Sequence, residues 1–134
     1  GTAWTTIALA LAQTDREIDS YDPVVQVHRG RYLAQVPHDV RARIHLIEDV
    51  GASGPRSDAP VDMLYVDSFH DRENTLAEVT AWTPVMAPGS IMVFDDYTHT
   101  VHTGVAQAID ELGLAGEPQG SLFIHRPSAA PRLS

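Results

Sequence analysis

Val61-Asp62-Met63-Leu64-Tyr65-Val66-Asp67 and Ile91-Met92-Val93-Phe94-Asp95-Asp96 are two largely apolar runs, each closed by aspartate. Runs with so little polar alternation read as strands covered on both faces, as parallel strands in α/β proteins are. Between them, Asp71 to Met86 places Leu76, Val79, Thr83 and Met86 at helical spacing, and Pro88-Gly89 supplies a stop. A strand, a helix and a second strand in that order predict a right-handed crossover between parallel neighbours.

The same alternation extends outward. Trp4, Ile7, Ala8 and Leu11 predict a helix over Trp4 to Gln13, and Glu17 to Tyr21 reads as a strand ending at Asp22-Pro23. Residues 24–36 read equally as loop or helix. Arg43 to Glu48 forms a strand closed by Asp49 and the Gly51 to Pro60 loop. Downstream, Val105, Ala108, Ile109 and Leu112 predict a helix over Gly104 to Leu112, and Leu122-Phe123-Ile124 is the last strand. The expected fold is α/β: a Rossmann-like, doubly wound, mostly parallel sheet in one domain over residues 1–127, with 128–134 as a tail. The chain is expected to enter that fold after its first strand.

Composition narrows the function. The formal net charge is −9 and all nine basic residues are arginine, so no basic stripe is available for a phosphate backbone and nucleic acid is not an expected partner. No apolar stretch is long enough to span a bilayer, and Thr5 to Ala12 lacks the basic flank and cleavage site of a signal peptide. No membrane partner is expected. Cysteine is absent, which removes disulfides, thiolate metal sites and cysteine nucleophiles and fits a cytoplasmic setting. Neither a phosphate-binding Gly-rich loop with lysine nor a Gly-X-Ser-X-Gly elbow occurs. The sequence leaves a homo-oligomer open.

In open α/β sheets, ligands gather beyond the carboxyl ends of the strands, so Asp22, Asp67 and Asp95-Asp96 are expected to share one crevice. Grouped carboxylates repel unless a cation compensates them, and oxygen donors favour magnesium, calcium or manganese over zinc. The alternative is that Asp67 and Asp95 simply cap the helices that come next. His99 and His102, three apart beyond the aspartates, are candidates to extend a metal site, although loop histidines more often face solvent.

Three features together resemble class I S-adenosylmethionine-dependent methyltransferases, and within them the macrocin and macrolide-sugar O-methyltransferase branch. They are the strand ending Asp67-Ser68-Phe69-His70, Trp82 followed by the Pro88-Gly89 turn, and the strand ending Asp95-Asp96-Tyr97. That branch has Asp-Gly-Asp-His, Trp, Pro-Gly-Gly and Asp-Asp-Tyr in this order. The resemblance implies S-adenosylmethionine as cofactor, bound by Gly1, Thr2, Asp22, Asp49 and Asp67. Asp22 would hold the ribose hydroxyls and Asp49 the adenine edge, while Gly1 would close the glycine-rich turn.

The resemblance also implies magnesium or manganese on Asp67, Asp95 and Asp96, positioning a hydroxyl of a small-molecule substrate. Ser68 and Phe69 depart from the pattern. Phe69 replaces the acidic residue that serves as general base, which leaves His70 as the catalytic candidate. Two rivals are a metal-dependent hydrolase using the same aspartates with His70, His99 and His102, and a non-catalytic remnant of the fold.

Overall fold

The structure, a computed structural model, describes residues 3–127, so the expected cofactor contacts of Gly1 and Thr2 and the 128–134 tail lie outside the described residues. Packing separates two units, divided in sequence between Gly51 and Ala52.

In the first unit, α1 (Trp4–Ala12) leads to β1 (Ile18–Tyr21), two short helices α2 (Arg29–Leu33) and α3 (His38–Arg41), and β2 (Ile44–Ile47). The strands pair in parallel, with Ile18 opposite Ile44 and Tyr21 opposite Ile47. Arg43 ties this arrangement together. Its guanidinium donates to the carbonyls of Ala10 (2.8 Å) and Gln13 (2.6 Å), at the end of α1, and of Arg16 (2.8 Å), in the connection to β1.

The buried face of α1 is not the expected one: Ile7 and Ala10 are inside, whereas Ala8 is exposed and Trp4 and Leu11 are 60% and 54% exposed. Trp4 lies against the Tyr32 ring instead, at a centroid distance of 4.8 Å. Small Ala10 permits close approach, and the largest apolar residue, which weighted the sequence reading, takes the rim of an apolar pocket it shares with Ile7, Leu11 and Tyr32.

In the second unit, β3 (Val61–Val66), α4 (Arg72–Trp82) and β4 (Met86–Phe94) form the expected βαβ crossover, followed by α5 (Gly104–Leu112), β5 (Gly116–Gln119) and β6 (Leu122–His125). The sheet order is β3-β4-β6-β5, with β3 and β4 parallel and β6 antiparallel to both its neighbours. Val66, Val79, Met92, Phe94, Val105, Ile109 and Phe123 form its core. Parallel strand pairs joined through helices make the fold Rossmann-like. No helix among the described residues is long and apolar enough to cross a membrane.

Two expectations give way to the structure in this unit. Helix α4 stops at Trp82 because Pro84 diverts the chain into a 3-10 turn at Thr83–Val85, and Met86 already belongs to β4. Pro88-Gly89 therefore lies inside β4, where the register jumps from Val61 opposite Met86 to Met63 opposite Ile91. This is a bulge, with Gly89 at φ 77°, and only from Ile91 to Phe94 is the ladder regular. The buried stripe of α4 is Thr75, Glu78, Val79 and Trp82, with Leu76 only half-buried, because two of the inward positions carry polar side chains.

The start of α5 is pressed against the start of α4. A Cβ on Gly104 would meet Asp71 backbone atoms at 2.7 Å and press harder still on the Arg72 amide nitrogen, whereas one on Gly30, in α2, would meet nothing within 4 Å. Backbone cannot yield as a flexible side chain does. Gly104→Ala should therefore lower stability by about 1–3 kcal/mol, while Gly30→Ala should be neutral or stabilising by up to about 1 kcal/mol. Chemical denaturation of both variants, with equal midpoints as the contrary result, checks this.

Candidate functional site

The parallel pairing of β3 and β4 sets Val66 opposite Phe94, so the residues after each strand emerge side by side. The Asp95 amide donates to the Val66 carbonyl at 2.9 Å, the last rung before the chains part. Asp67 leaves one strand and Asp95-Asp96 the other, as expected.

Beyond each strand the chain passes through a left-handed residue. Among the described residues, three other than glycine have positive φ: Ala3 ahead of α1, His70 at 54° and Asp96 at 58°. Such backbone costs energy at a residue with a Cβ and persists where its surroundings over-determine it. Here the two turns aim His70 and Asp96 at one another, with His70 Nδ1 2.7 Å from Asp96 Oδ2. Asp67 completes the group, and one ligand atom from each of Asp67, His70 and Asp96 lies within 4.8 Å of the others. This is the only group of three or more metal-ligating side chains among the described residues.

The expected metal set is thus brought together in part. Asp67 and Asp96 converge with His70, while the Asp95 carboxylate is occupied. Asp95 Oδ1 accepts from the Asp96 amide (2.7 Å) and the Ser121 hydroxyl (3.3 Å), and Oδ2 accepts from the Tyr65 hydroxyl (3.2 Å).

The carboxylates still feel one another. The Asp67 carboxyl is raised above its ordinary pKa, first by desolvation of its head and then by the Asp95 charge, against the opposing pull of His70. Tyr65 is pushed up to about 12 by burial and by Asp95, with smaller contributions from Asp67 and Asp96.

The capping alternative fails on geometry. Helix α4 is capped by Asp71, whose Oδ1 accepts from the Asn74 amide at 2.7 Å, and Thr103 ahead of α5 makes no side-chain cap. Neither Asp67 nor Asp95 caps a helix. His99 and His102 do not join the ligand group either. Their rings meet at a tilt of 45° with centroids 4.7 Å apart, His99 Nδ1 accepts from the amides of Val101 (3.2 Å) and His102 (3.0 Å), and the His102 ring stands 6.1 Å from that of His70. Phe69 is 59% exposed beside His70.

In the first unit, Asp22 and Asp49 emerge at the same end of the β1–β2 pair. The Asp22 amide and the Asp49 amide both donate to the Ile47 carbonyl at 3.0 Å. Asp22 Oδ1 accepts from the Val24 amide (3.0 Å) and Asp49 Oδ1 from the Val50 amide (2.8 Å), which fixes both carboxylates at the strand ends.

Sequence reasoning missed Tyr65, Ser121 and Glu78. Tyr65 is hidden in an apolar run and Ser121 in a hairpin turn. Glu78 is only 7% exposed on the inward stripe of α4, and a glutamate at a buried helical position was the one signal that could have marked it.

A family model described as a methyltransferase domain matches residues 1–97. The sequence matches none of the curated proteins. Among solved structures, CalS11, a TDP-rhamnose 3'-O-methyltransferase and an enzyme in calicheamicin biosynthesis, is 19% identical over 92% of this chain and 65% of its own, with a TM-score of 0.68. The chain therefore spans about two thirds of the length of that structure. A putative rRNA methylase from Clostridium thermocellum is 14% identical over 94% of this chain and 83% of its own (TM-score 0.72). MycE, solved with Mg, SAH and mycinamycin VI, is 13% identical over 88% of this chain and 38% of its own (TM-score 0.60). These likenesses establish the fold.

Glu78 carries a pH signature. Burial raises its carboxyl above the ordinary value, and the Asp71 and Asp67 charges push the same way. A folded pKa raised in this way gives stability that is full below the unfolded value and is lost as pH rises through the folded one. Glu78→Gln should therefore be more stable than the parent at pH 7, with the difference vanishing near about pH 4, below the ordinary glutamate pKa. Thermal unfolding across that range checks the sign, and a stabilisation that persists unchanged at low pH contradicts it.

Proposed function

Because the chain belongs to the methyltransferase domain family, we propose that it is an S-adenosylmethionine-dependent O-methyltransferase that uses a divalent cation to methylate a hydroxyl of a small molecule. The observation that carries the metal-assisted part is the convergence of Asp67, His70 and Asp96 at the carboxyl ends of β3 and β4, with ligand atoms within 4.8 Å. Opposed ligands of one magnesium ion stand about 4 Å apart, so two carboxylates at this spacing fit a hard divalent cation after small side-chain adjustment. CalS11 acts on a sugar hydroxyl and MycE was solved with Mg and SAH, which supports a hydroxylated sugar or polyketide-type acceptor here.

In this reading, Asp22 accepts the ribose hydroxyls and Asp49 faces the adenine edge. Gly1, Thr2 and Asp67 complete the cofactor contacts. Bound S-adenosylmethionine supplies an electrophilic methyl group, and magnesium or manganese at the rim of Asp67, Asp95 and Asp96 supplies the positive charge that lowers the acceptor hydroxyl's pKa. The chain's own residues hold the reactants and the proton. His70 receives the hydroxyl proton at Nε2, and Asp96 Oδ2, 2.7 Å from Nδ1, fixes the ring and stabilises its charged form. Phe69 presents an apolar surface beside that base and takes no proton.

The net charge of −9 speaks against an RNA substrate despite the rRNA-methylase likeness. The cysteine-free composition fits work in the cytoplasm, away from a membrane. His99 and His102 contribute no atom to the ligand group, so of the three histidines in the hydrolase reading only His70 belongs to it.

Calorimetric titration with S-adenosylhomocysteine, with and without magnesium, tests the assignment. The parent should bind, with magnesium making little difference, and Asp22→Ala should weaken binding by about one to two decades through loss of charge-assisted hydrogen bonds worth about 1.5–3 kcal/mol. No binding to the parent would falsify the methyltransferase reading, whereas parent-like affinity in the variant removes Asp22 alone from the site. Binding without turnover on any hydroxylated acceptor would point to a non-catalytic remnant.

A further inference from the structure

We propose that Arg29, the first residue of α2, anchors an oxyanion site in the first unit that takes the phosphate or carboxylate group of a small molecule. The inference stands apart from the metal-assisted reading above.

Arg29 is 7% exposed and is the one buried arginine among the described residues. Other guanidinium groups find acceptors: Arg43 meets three carbonyls in the same unit, and Arg72 pairs with Glu111. The Arg29 side chain has no hydrogen bond, ion pair or ring contact among the described residues. A guanidinium keeps its charge and carries five N–H donors, and the surface left to Arg29 is too small to hydrate all of them. A charge buried in this way is unfavourable until it meets a partner. The chain has eighteen acidic residues and a net charge of −9, yet it sets none of the described ones beside this cation.

Its place in the unit adds to the case. Arg29 and Leu33 are the two buried residues of α2, four apart and therefore on one face. Leu33 clusters with Ala3, ahead of α1, and with Ile7 of α1, so Arg29 lies on the side of α2 turned to that helix. Neither α1 nor α2 has an acidic residue in its first turn, and neither start has a side-chain cap. No negative group from either helix answers the guanidinium. Ser68 and Ser90 carry the only sealed side-chain polar atoms without a partner among the described residues, so the Arg29 nitrogens stay within reach of a solute. A recessed cation admits a small molecule where a protein surface would not fit, and its planar fork matches two oxygens of a phosphate or carboxylate at once.

The alternative is a residue that only packs, its stem in the core and its head in water. The two differ on substitution. Arg29→Met keeps an unbranched apolar stem and removes the charge. A packing residue would leave no trace of anion binding in the parent for that change to abolish.

The full chain is unfolded by heat in sodium phosphate, sodium acetate and sodium chloride of equal ionic strength, for the parent, Arg29→Met and Arg29→Gln. Phosphate affinity is measured by calorimetry, and the nitrogen-15 signal of the Arg29 Nε is followed in the parent. Phosphate and acetate should raise the parent's midpoint above its value in chloride and shift the Nε signal, both saturably. Arg29→Met should be at least as stable as the parent in chloride, because it buries no unpaired charge. Phosphate should bind either variant at least about tenfold more weakly, as loss of charge-assisted hydrogen bonds implies. S-adenosylhomocysteine, titrated with and without phosphate, identifies the source of the oxyanion. Competition, with weaker binding to Arg29→Met, assigns it to that molecule's carboxylate; independent binding assigns it to a separate phosphate-bearing ligand.

A parent that responds to phosphate and acetate no more than Arg29→Met does would overturn the proposal. So would an Arg29 Nε signal that neither anion moves, which decides the matter in the parent even where a variant does not fold.

Discussion

The hydrogen bond from the Asp95 amide to the Val66 carbonyl, at 2.9 Å, closes the parallel β3–β4 ladder, and everything at the candidate site depends on where that ladder ends. One residue beyond it on each strand stands an aspartate. Parallel pairing sends both chains out in the same direction, so two acidic strand ends become neighbours by topology and not by any attraction between them. The cost is visible in Asp67, whose carboxyl is held above its ordinary pKa by desolvation and by the Asp95 charge. A β-hairpin would have joined the two ends by a short turn. The crossover through α4 leaves them open to each other and to a ligand.

Two left-handed residues at that rim require support from outside it. His70 comes after the exposed Phe69 and precedes Asp71, the residue that caps α4 through Asn74. The stretch Asp71-Arg72 is in turn covered by the first residue of α5, at a spacing only glycine allows at position 104. Arg72 also pairs with Glu111 on α5. The loop carrying His70 is therefore clamped from the helix side, and the loop carrying Asp96 is clamped from the strand side through Asp95, Tyr65 and Ser121. Together they hold the two loops between which the 2.7 Å contact of His70 with Asp96 forms, without drawing on Asp67, which stays open.

The parts legible in the sequence are those decided by a continuous local pattern. Val61 to Val66, Ile91 to Phe94 and Gly104 to Leu112 could be read because nearly every inward position is apolar, and the aspartates because they sit where such runs stop. Legibility failed where the structure puts the wrong chemistry in a pattern. Thr75 and Glu78 face inward on α4, displacing the apparent stripe, and Ala10 is buried where Leu11 is not. Gly116–Gln119 forms an edge strand that contains Pro118 and is exposed throughout, so its composition is that of a turn. Pro88-Gly89 punctuates a bulge within a strand and not the end of a helix. The pairing of His70 with Asp96 was not legible, since it depends on two positive φ angles, which aspartate and histidine tolerate better than most residues but adopt in only a small minority of cases.

The three aspartates at the rim show why their acidity alone is a poor description of the site. Asp95 accepts three hydrogen bonds from neutral donors, which stabilise its charge without cancelling it. Asp96 is balanced only when His70 carries a proton, because a neutral imidazole donates a hydrogen bond and no charge. Asp67 feels the favourable field of His70 but is pushed up by burial and by both other carboxylates. Once His70 is neutral and ready to accept a proton, the rim holds three carboxylates whose charge the surrounding side chains do not cancel. A base that must be neutral to act thus sits beside carboxylates that need positive charge, and a divalent cation meets the second requirement without occupying the first.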